Sequence, residues 1–309
     1  MRTTWELDFY SRPMVDDAGK KVWEVLICES PTGIYGSEKP FRFQKFCPNT
    51  EVNSVWLGNA IEEATQIALV APKKIRFFRR QMNNMISKAC QDKGIDAVPS
   101  RRTGQLQRWL QERMELVYPN QPGFKAEGVM TSVRFETPPP SPLPDALRGD
   151  KWAFVTLAAA DFQDMDQWQI DFGEAFPIFP ATTPPPSQEE GSNYVVAAPE
   201  LTPESRISGA IVFSSRALAL AGWMSGLDLA FLRVEFGSDV SGVGKLILET
   251  GASQSWILAS FRDEKTRQEA KRFAEAKEKS QQIHFLAVQS DPNAESFAGF
   301  WLLQEVNLP

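Results

Sequence analysis

The sequence predicts an α/β protein with two mixed-sheet domains of similar strand-helix order, joined by a proline-rich linker. Its 309 residues, 42% of them hydrophobic, suffice for two separate cores. Strand-like alternation of apolar residues is interspersed with helical apolar spacing along the whole chain. A proline-rich run, TPPPSPLP, divides the chain near its middle.

That proline-rich run sets the expected domain boundaries. We predict an N-terminal domain over residues 1–136, a linker over residues 137–150 and a C-terminal domain over residues 151–309. A second proline-rich stretch, continued by serine and acidic residues, predicts an insertion at 177–205 within the C-terminal domain. Both stretches are typical of surface segments without packed structure.

In the N-terminal half, the pattern predicts two long strands, a third strand, a helix, a fourth strand and two further helices. The second strand is apolar on both sides, which is typical of a central strand. Gly94 ends the first of the last two helices, and Pro99 precedes the second. The predicted strands are Thr3–Arg12, Lys20–Glu29, Phe41–Phe46 and Lys73–Arg79, and the predicted helices are Leu57–Leu69, Gln81–Lys93 and Thr103–Val117.

The C-terminal half repeats the order of hairpin, strand, helix and strand. A duplication is one interpretation of this order, but the two halves share too little sequence to establish it. The predicted strands are Trp152–Ala158, Gln167–Phe172, Ile207–Phe213, Asp228–Phe236, Lys245–Glu249, Trp256–Phe261, Ile283–Val288 and Phe300–Val306, with helices around Ala217–Ala221 and over Glu264–Lys279.

Charge is unevenly distributed along the chain. The whole chain has 33 basic and 39 acidic side chains, which gives a formal net charge of -6. The segment from Lys73 to Arg113 instead holds eleven basic and three acidic side chains. A basic segment on an acidic protein is typical of a nucleic-acid interface. The alternative is that these charges lie on solvated helix faces.

The residues KKIRFFRR interleave basic and aromatic side chains. RNA recognition combines phosphate contacts by lysine and arginine with stacking of bases on aromatic or guanidinium planes. A strand would place Lys74, Arg76 and Phe78 on one face and Arg79 on the other. In the alternative interpretation, Phe78 is an ordinary core residue and the arginines pair with strand carboxylates such as Asp8.

A second basic stretch, SRRTGQLQRW, begins at the entry of a predicted helix. Backbone N–H groups at a helix N-terminus favour phosphate, so arginines at this position are suited to RNA. The predicted RNA-binding residues are Lys73, Lys74, Arg76, Phe78, Arg79, Arg80, Arg101, Arg102 and Arg108.

Carboxylates on the predicted strands raise the question of catalysis. Asp8, Glu24 and Glu29 could hold magnesium as the carboxylates of a nuclease do. Such a site also uses a lysine two residues after the strand acid, and Leu26 and Pro31 occupy those positions. The sequence therefore favours a binding protein, and we expect no catalytic residues, no metal and no cofactor. The single histidine, at position 284, lies in an apolar strand pattern and is interpreted as structural.

Many blocks in the same order resemble one known family. They are WELDFYSRP, KKVWEVLICES, KKIRFFRRQM with ISKAC, PSRR, KWAFV, SSRALALAGWMSGL, IHFLAVQ and FWLL, and they span nearly the whole chain. The chain resembles the plant, algal and cyanobacterial RNA-binding proteins needed for translation of the photosystem I PsaB message (the Tab/Atab type). The resemblance implies binding to A/U-rich single-stranded RNA, translation of reaction-centre messages, photosystem assembly and no catalysis.

The same resemblance marks Trp301, Leu302 and Leu303 as a family signature. Their apolar pattern predicts a buried edge of the last strand, although a contact with RNA or a partner is an open alternative. The chain starts at the first shared block, which predicts a cyanobacterial, cytoplasmic protein, or a stromal one if it is a processed plastid form. The GIYGSEKP loop and the 177–205 insertion depart from the plant members, so the target could differ.

The implied partners are A/U-rich single-stranded RNA and, in addition, translation machinery or photosystem assembly proteins, with no membrane span. A second function class is a protein-binding photosystem assembly or scaffold factor, with FWLL and the surface near Trp223 as its contact. The third class is a magnesium-dependent nuclease-like protein. The response of binding to salt separates the first two classes, because phosphate contacts weaken as salt rises.

Overall fold

The computed structural model describes residues 3–36, 40–125, 138–179, 201–237 and 242–306. The chain forms two compact units, each with its own α/β structure. The expected boundary at residue 136 stays a prediction, because residues 126–137 lie outside the described ranges. The first unit comprises Met1–Pro31, Lys39–Arg134 and Asn307–Pro309, and the second comprises Thr32–Glu38 and Phe135–Val306.

The first unit is built on one five-stranded sheet. Its described elements are β1 (Thr4–Val15), β2 (Lys21–Glu29), β3 (Arg42–Cys47), α1 (Ser54–Ala68), β4 (Lys74–Phe77), α2 (Asn83–Gln91), β5 (Asp96–Pro99) and α3 (Gly104–Glu112). The strand order is β3-β2-β1-β4-β5, so β2 is an interior strand as predicted. β1, β2 and β3 are antiparallel neighbours, whereas β4 runs parallel to both β1 and β5. α2 is the crossover that connects the parallel strands β4 and β5.

Helix α1 begins and ends where local chemistry allows it. The Asn53 side chain accepts a hydrogen bond from the Trp56 amide at 2.9 Å, which caps the first turn. Leu69, at φ 58°, adopts the left-handed conformation that ends the helix. The predicted helix, which started at Leu57, therefore begins three residues earlier in the structure.

The two faces of this sheet differ in chemistry because strand side chains alternate between them. One face carries Leu7, Val25 and Ile75, which pack with α1 and α2 into an apolar core. The opposite face carries buried carboxylates, Glu6 and Asp8 among them, and helix α3 packs against it. The charged face is the one that positions the candidate site.

The second unit contains two sheets. Its described elements are β6 (Ser141–Pro142), β7 (Lys151–Ala158), β8 (Ile170–Glu174), β9 (Arg206–Phe213), α4 (Ala217–Ser225), β10 (Leu229–Glu235), β11 (Gly244–Thr250), β12 (Gln254–Phe261), α5 (Glu264–Lys279), β13 (Ile283–Gln289) and β14 (Phe297–Gln304). The four-stranded sheet has the order β10-β11-β12-β6, and the five-stranded sheet has the order β7-β9-β13-β14-β8. Both sheets mix parallel and antiparallel pairs, which confirms the predicted mixed α/β fold.

The suspected duplication is not supported by the connectivity of the sheets. In the first unit, α1 leads from β3 to β4, which joins the same sheet beside β1. In the second unit, α5 leads from β12 to β13, which joins the other sheet beside β9 and β14. The two halves therefore share an order of elements but not a sheet topology.

The segment predicted as a linker without packed structure packs against the second unit at a few residues. Ser141 and Pro142 pair in parallel with Trp256 and Ile257 of β12, and Leu143 is buried. A proline is tolerated here because β6 lies at the edge of its sheet. Most of residues 138–150 are exposed, as expected of a surface segment, but this short strand and Leu143 are packed, and the linker stays a prediction. Most of the 177–205 insertion lies outside the described residues.

The signature residues Trp301, Leu302 and Leu303 are buried on β14. Their burial on the last strand agrees with the expectation from their apolar pattern. β14 lies between β13 and β8 and is hydrogen-bonded to both. A direct contact of these side chains with RNA or a partner would require the sheet to open.

His284 is a buried structural residue, as interpreted from its apolar surroundings. Its Nε2 accepts a hydrogen bond from the Leu232 amide at 2.7 Å, and its Nδ1 lies 2.8 Å from the Gln282 carbonyl oxygen. A backbone amide can only donate, so Nε2 carries no proton and Nδ1 donates to Gln282. Lys277 Nζ donates to the carbonyl of the same Leu232 at 2.8 Å.

The three cysteines, at positions 28, 47 and 90, are free and buried. Burial raises the pKa of each thiol, to about 11 for Cys47 and about 12 for Cys90. Among the described residues, no helix is both long and apolar enough to cross a membrane.

Candidate nucleic-acid interface

The carboxyl ends of β4 and β5 bring two arginine pairs side by side. These strands are parallel neighbours, and the Ser100 amide donates to the Phe77 carbonyl at 2.8 Å just where both strands end. Arginines 79–80 lie just past β4, after Phe78, and arginines 101–102 directly follow Ser100. Ligands of open α/β sheets commonly bind outside such carboxyl ends. The geometry therefore brings the chain segments that carry these arginines to the same end of the sheet.

Burial divides the predicted residues into two groups. Arg76 and Phe78 are each 1% exposed and Arg79 is 2% exposed, so the prediction that they face RNA was wrong for the folded unit. Arg80 is exposed, and Arg101, Arg102 and Arg108 are partly exposed. We call the cluster of Arg80, Arg101 and Arg102 the arginine edge.

The expected division of β4 into two faces fails for Arg79. β4 ends at Phe77, so strand alternation no longer governs a residue two positions later. Instead, Arg79 Nε donates to Asp8 Oδ1 at 2.6 Å, and its guanidinium lies 4.1 Å from the ring centroid of Tyr10. The alternative interpretation, in which an arginine pairs with Asp8, is confirmed for Arg79.

The remaining predicted residues lie elsewhere on the unit. Lys74 begins β4, about 10 Å from Phe77 at the strand rise of about 3.3 Å per residue, and Lys73 precedes it. Arg108 lies one turn into α3, where its Nη2 donates to Gln105 Oε1 at 3.2 Å. Burial lowers the pKa of Arg108. The structure therefore does not bring these three residues into the arginine edge, and their RNA contacts stay predictions.

Helix α3 begins beside the arginine edge, but one of its first amides is already occupied. Leu106 N donates to Glu6 Oε2 at 2.8 Å, and Ser30 Oγ donates to Glu6 Oε1 at 2.9 Å. Burial raises the pKa of Glu6, and these two hydrogen bonds oppose that rise. The Glu6 carboxylate thus occupies an amide at the N-terminus of α3 that could otherwise bind phosphate. Phosphate binding at the arginine edge therefore depends on the arginine side chains.

Asp8 is held by two buried arginines. Besides the contact with Arg79, Arg12 Nη1 donates to Asp8 Oδ2 at 2.8 Å. Burial by itself would raise the pKa of Asp8, but Arg79 and Arg12 together hold that pKa below its ordinary value. The carboxylate is therefore ionised and engaged on both oxygens.

Glu24 is the second carboxylate of this buried network. It accepts from Arg12 Nε at 2.9 Å, from Tyr118 Oη at 2.5 Å and from Arg113. Burial raises the pKa of Tyr118, so the phenol keeps its proton and donates. The described residues contain no group of three histidine, cysteine, aspartate or glutamate side chains that could hold a metal ion. The carboxylates Asp8 and Glu24 are instead arranged as ion-pair partners.

The stability that Asp8 contributes should disappear in acid. Its folded-state pKa lies below the ordinary value of 3.8, so the contribution is complete above that value and is lost as the pH falls through the folded pKa. We expect Asp8→Asn to show a flatter decline of unfolding free energy below about pH 4 than the native protein. Urea unfolding at a series of pH values measures this, and an unchanged acid slope in the variant would contradict the assignment.

Sequence reasoning missed Arg12, Arg113 and Tyr118 as members of the network. A signal was available for Arg12, because residues four apart on one strand share a face and Arg12 follows Asp8 by four. Tyr10 lies on the same face for the same reason. No comparable signal existed for Tyr118, which reaches Glu24 from a segment 94 positions away.

The first unit thus carries arginines at the carboxyl ends of parallel strands, and guanidinium groups are suited to polyanions. The chain belongs to the family described as RNA-binding protein Tab2/Atab2, whose N-terminal domain matches residues 4–113 and whose C-terminal domain matches residues 130–304. The predicted family resemblance is thereby confirmed.

Two chloroplast proteins show the extent of this similarity. Over 307 residues, the chain is 36% identical to the chloroplastic TAB2 homolog of Zea mays. The matched region covers 99% of this chain and 72% of the maize protein. The chain is 37% identical to the chloroplastic TAB2 homolog of Arabidopsis thaliana, again over 99% of this chain and 75% of that protein. No solved structure matches the chain significantly.

Proposed function

We propose that this protein binds A/U-rich single-stranded RNA, chiefly in the leader of a photosystem reaction-centre message, and supports its translation. Membership of an RNA-binding family supports the general function. The observation that carries the proposed site is the arginine edge, in which two chain segments converge at the carboxyl ends of parallel strands. The compartment would be the cytoplasm of a cyanobacterium, or the stroma if the protein is a processed plastid form.

The chemistry of the arginine edge suits an RNA backbone. Guanidinium groups bind phosphate through paired, charge-assisted hydrogen bonds. The rest of the chain is acidic, with a net charge of -6 for the whole, so nonspecific attraction of polyanions to other surfaces is weak. Binding should therefore concentrate at this edge of the first unit.

The competing function, a protein-binding assembly factor that uses FWLL, is not favoured. Phe300, Trp301, Leu302 and Leu303 are all buried on an interior strand, so they offer no surface to a partner protein. The surface near Trp223, which is partly exposed, has no comparable support from the family.

The test is a fluorescence-anisotropy titration with an A/U-rich RNA and a G/C-rich control, each at several salt concentrations. The native protein should prefer the A/U-rich RNA, and its affinity should fall as salt rises. The variant R80Q/R101Q/R102Q should bind more weakly. Its log K against log[salt] slope should be shallower by about 2, because single strands contribute about 0.7 per contacted phosphate.

A matched control removes three positive charges that do not belong to the arginine edge. Lys45, Lys88 and Lys93 each form a surface ion pair, with Glu63, Asp92 and Glu62 respectively. K45Q/K88Q/K93Q should keep the native affinity and salt slope. Equal weakening by both variants would show that only net charge matters and would reject the arginine edge. Absence of binding to either RNA by the native protein would reject the proposed function.

A further inference from the structure

We propose that Tyr10 forms a stacking site for one base of the bound RNA. The proposal rests on RNA binding at the arginine edge. Sequence reasoning gave this role to Phe78, but the Phe78 ring is buried and faces no solvent. Single-stranded RNA sites combine cationic phosphate contacts with an aromatic plane, so a partly exposed ring beside the arginine edge is required.

Tyr10 stands at the same end of the sheet as the arginine edge. β1 and β4 are parallel neighbours, with Glu6 opposite Arg76 in the register. Beyond this pair, β1 continues through Tyr10, and Arg79, just past the end of β4, has its guanidinium 4.1 Å from the Tyr10 ring centroid. In the sheet, β4 lies between β1, which carries Tyr10, and β5, which leads to arginines 101–102, and Arg80 is the residue next to Arg79.

Contacts on the sheet hold the Tyr10 ring in place. The guanidinium carbon of Arg79 lies 4.1 Å from the ring centroid, and Asp8 fixes that guanidinium through a 2.6 Å hydrogen bond. The Trp23 and Tyr10 rings form a T-shaped pair, with centroids 5.8 Å apart and an interplanar angle of 65°. Both Tyr10 and Trp23 are partly exposed. A ring that is already ordered loses little conformational entropy when a base stacks on it.

The same contacts give the buried Arg79 a role beside the proposed stacking site. Arg79 does not reach phosphate; it supports the tyrosine from one side by a cation–π contact while Asp8 neutralises its charge. Arg80, the next residue, is exposed. Adjacent arginines thus serve the base-binding and phosphate-binding parts of one site.

The test compares an intact A/U-rich RNA with an abasic oligonucleotide of the same length and backbone charge. Loss of a stacking aromatic weakens binding by about 5- to 150-fold per base. Y10L should therefore bind intact RNA at least about fivefold more weakly than the native protein, with unchanged affinity for the abasic oligonucleotide. Y10F keeps the ring and should bind as the native protein does.

Two further measurements test whether the effect belongs to the Tyr10 ring. Y35L, at an exposed tyrosine of the second unit, is the matched control and should bind both oligonucleotides normally. The chain has 4 tyrosines, so ring resonances of the labelled native protein are few, and Y10F identifies that of Tyr10 by its loss. This resonance should shift on addition of intact RNA and stay in place with the abasic oligonucleotide.

The outcomes separate this inference from the function on which it rests. Equal weakening of intact and abasic binding by Y10L, or an unshifted Tyr10 resonance, would overturn the stacking site. Unchanged binding by Y10L together with loss of binding by R80Q/R101Q/R102Q would also overturn it, yet leave the proposed function standing. Unchanged binding by both variants would reject the arginine edge itself.

Discussion

Replacing Arg79 with glutamate should unfold the first unit, whereas the same change at Arg80 should alter its stability by about 0.5 kcal/mol or less. Arg79 is buried and bound to Asp8, so a glutamate there would face a second buried carboxylate. Breaking a buried ion pair costs about 3–5 kcal/mol, which is a large part of the 5–15 kcal/mol typical of a folded domain. Arg80 is exposed, so its replacement stays in water.

Urea unfolding followed by circular dichroism measures both variants, and Arg80→Glu serves as the control because the charge change is identical. R80E should unfold at nearly the native midpoint, whereas R79E should show little or no folded baseline for the first unit. Similar midpoints for the two variants would mean that Arg79 does not hold the buried network together.

Replacing Trp301 with alanine should cost about 3–5 kcal/mol, the usual range for truncating a buried tryptophan. Trp301 is 3% exposed and packs in the apolar core of the second unit. Its ring lies over Gly299, where an added Cβ would come within 2.3 Å of Trp301 Cη2. The Trp301 ring therefore packs closely against its neighbours, and we expect its removal to leave a cavity in the core.

The free energy of unfolding of W301A is compared with that of L218A, a truncation at an exposed position of α4. L218A should lie within about 0.5 kcal/mol of the native protein. The folded fraction of W301A should retain native RNA affinity. A W301A variant with native stability and lost RNA binding would instead make the signature a direct contact.

The sequence predicts best the elements whose start and period are set locally. Helix α5 spans Glu264–Lys279 as predicted, because Asp263 caps its first turn and charged residues alternate with a narrow apolar stripe. By contrast, β5 was missed. Its four residues, Asp96–Pro99, carry no strand-like alternation and form a strand because β4 offers a parallel partner.

The candidate site was predictable in composition but not in burial. Periodicity assigns Arg76 to a strand face without revealing that α3 packs on the charged face of the sheet. The partner that buries Arg79 is Asp8, 71 positions earlier, and no local pattern connects the two. The sequence therefore shows that this segment is basic. It does not show that Arg80, Arg101 and Arg102, which follow β4 and β5, form the arginine edge while Arg76 and Arg79 are buried.

The four-stranded sheet of the second unit has consequences for solubility in a crowded cell. Edge strands attract strands from other molecules because their outward backbone groups are unpaired. On β10, the outward N–H and C=O of Leu232 are taken by His284 and Lys277. On β6, Pro142 has no N–H to offer. Side chains and a proline therefore discourage this sheet from growing into an intermolecular aggregate.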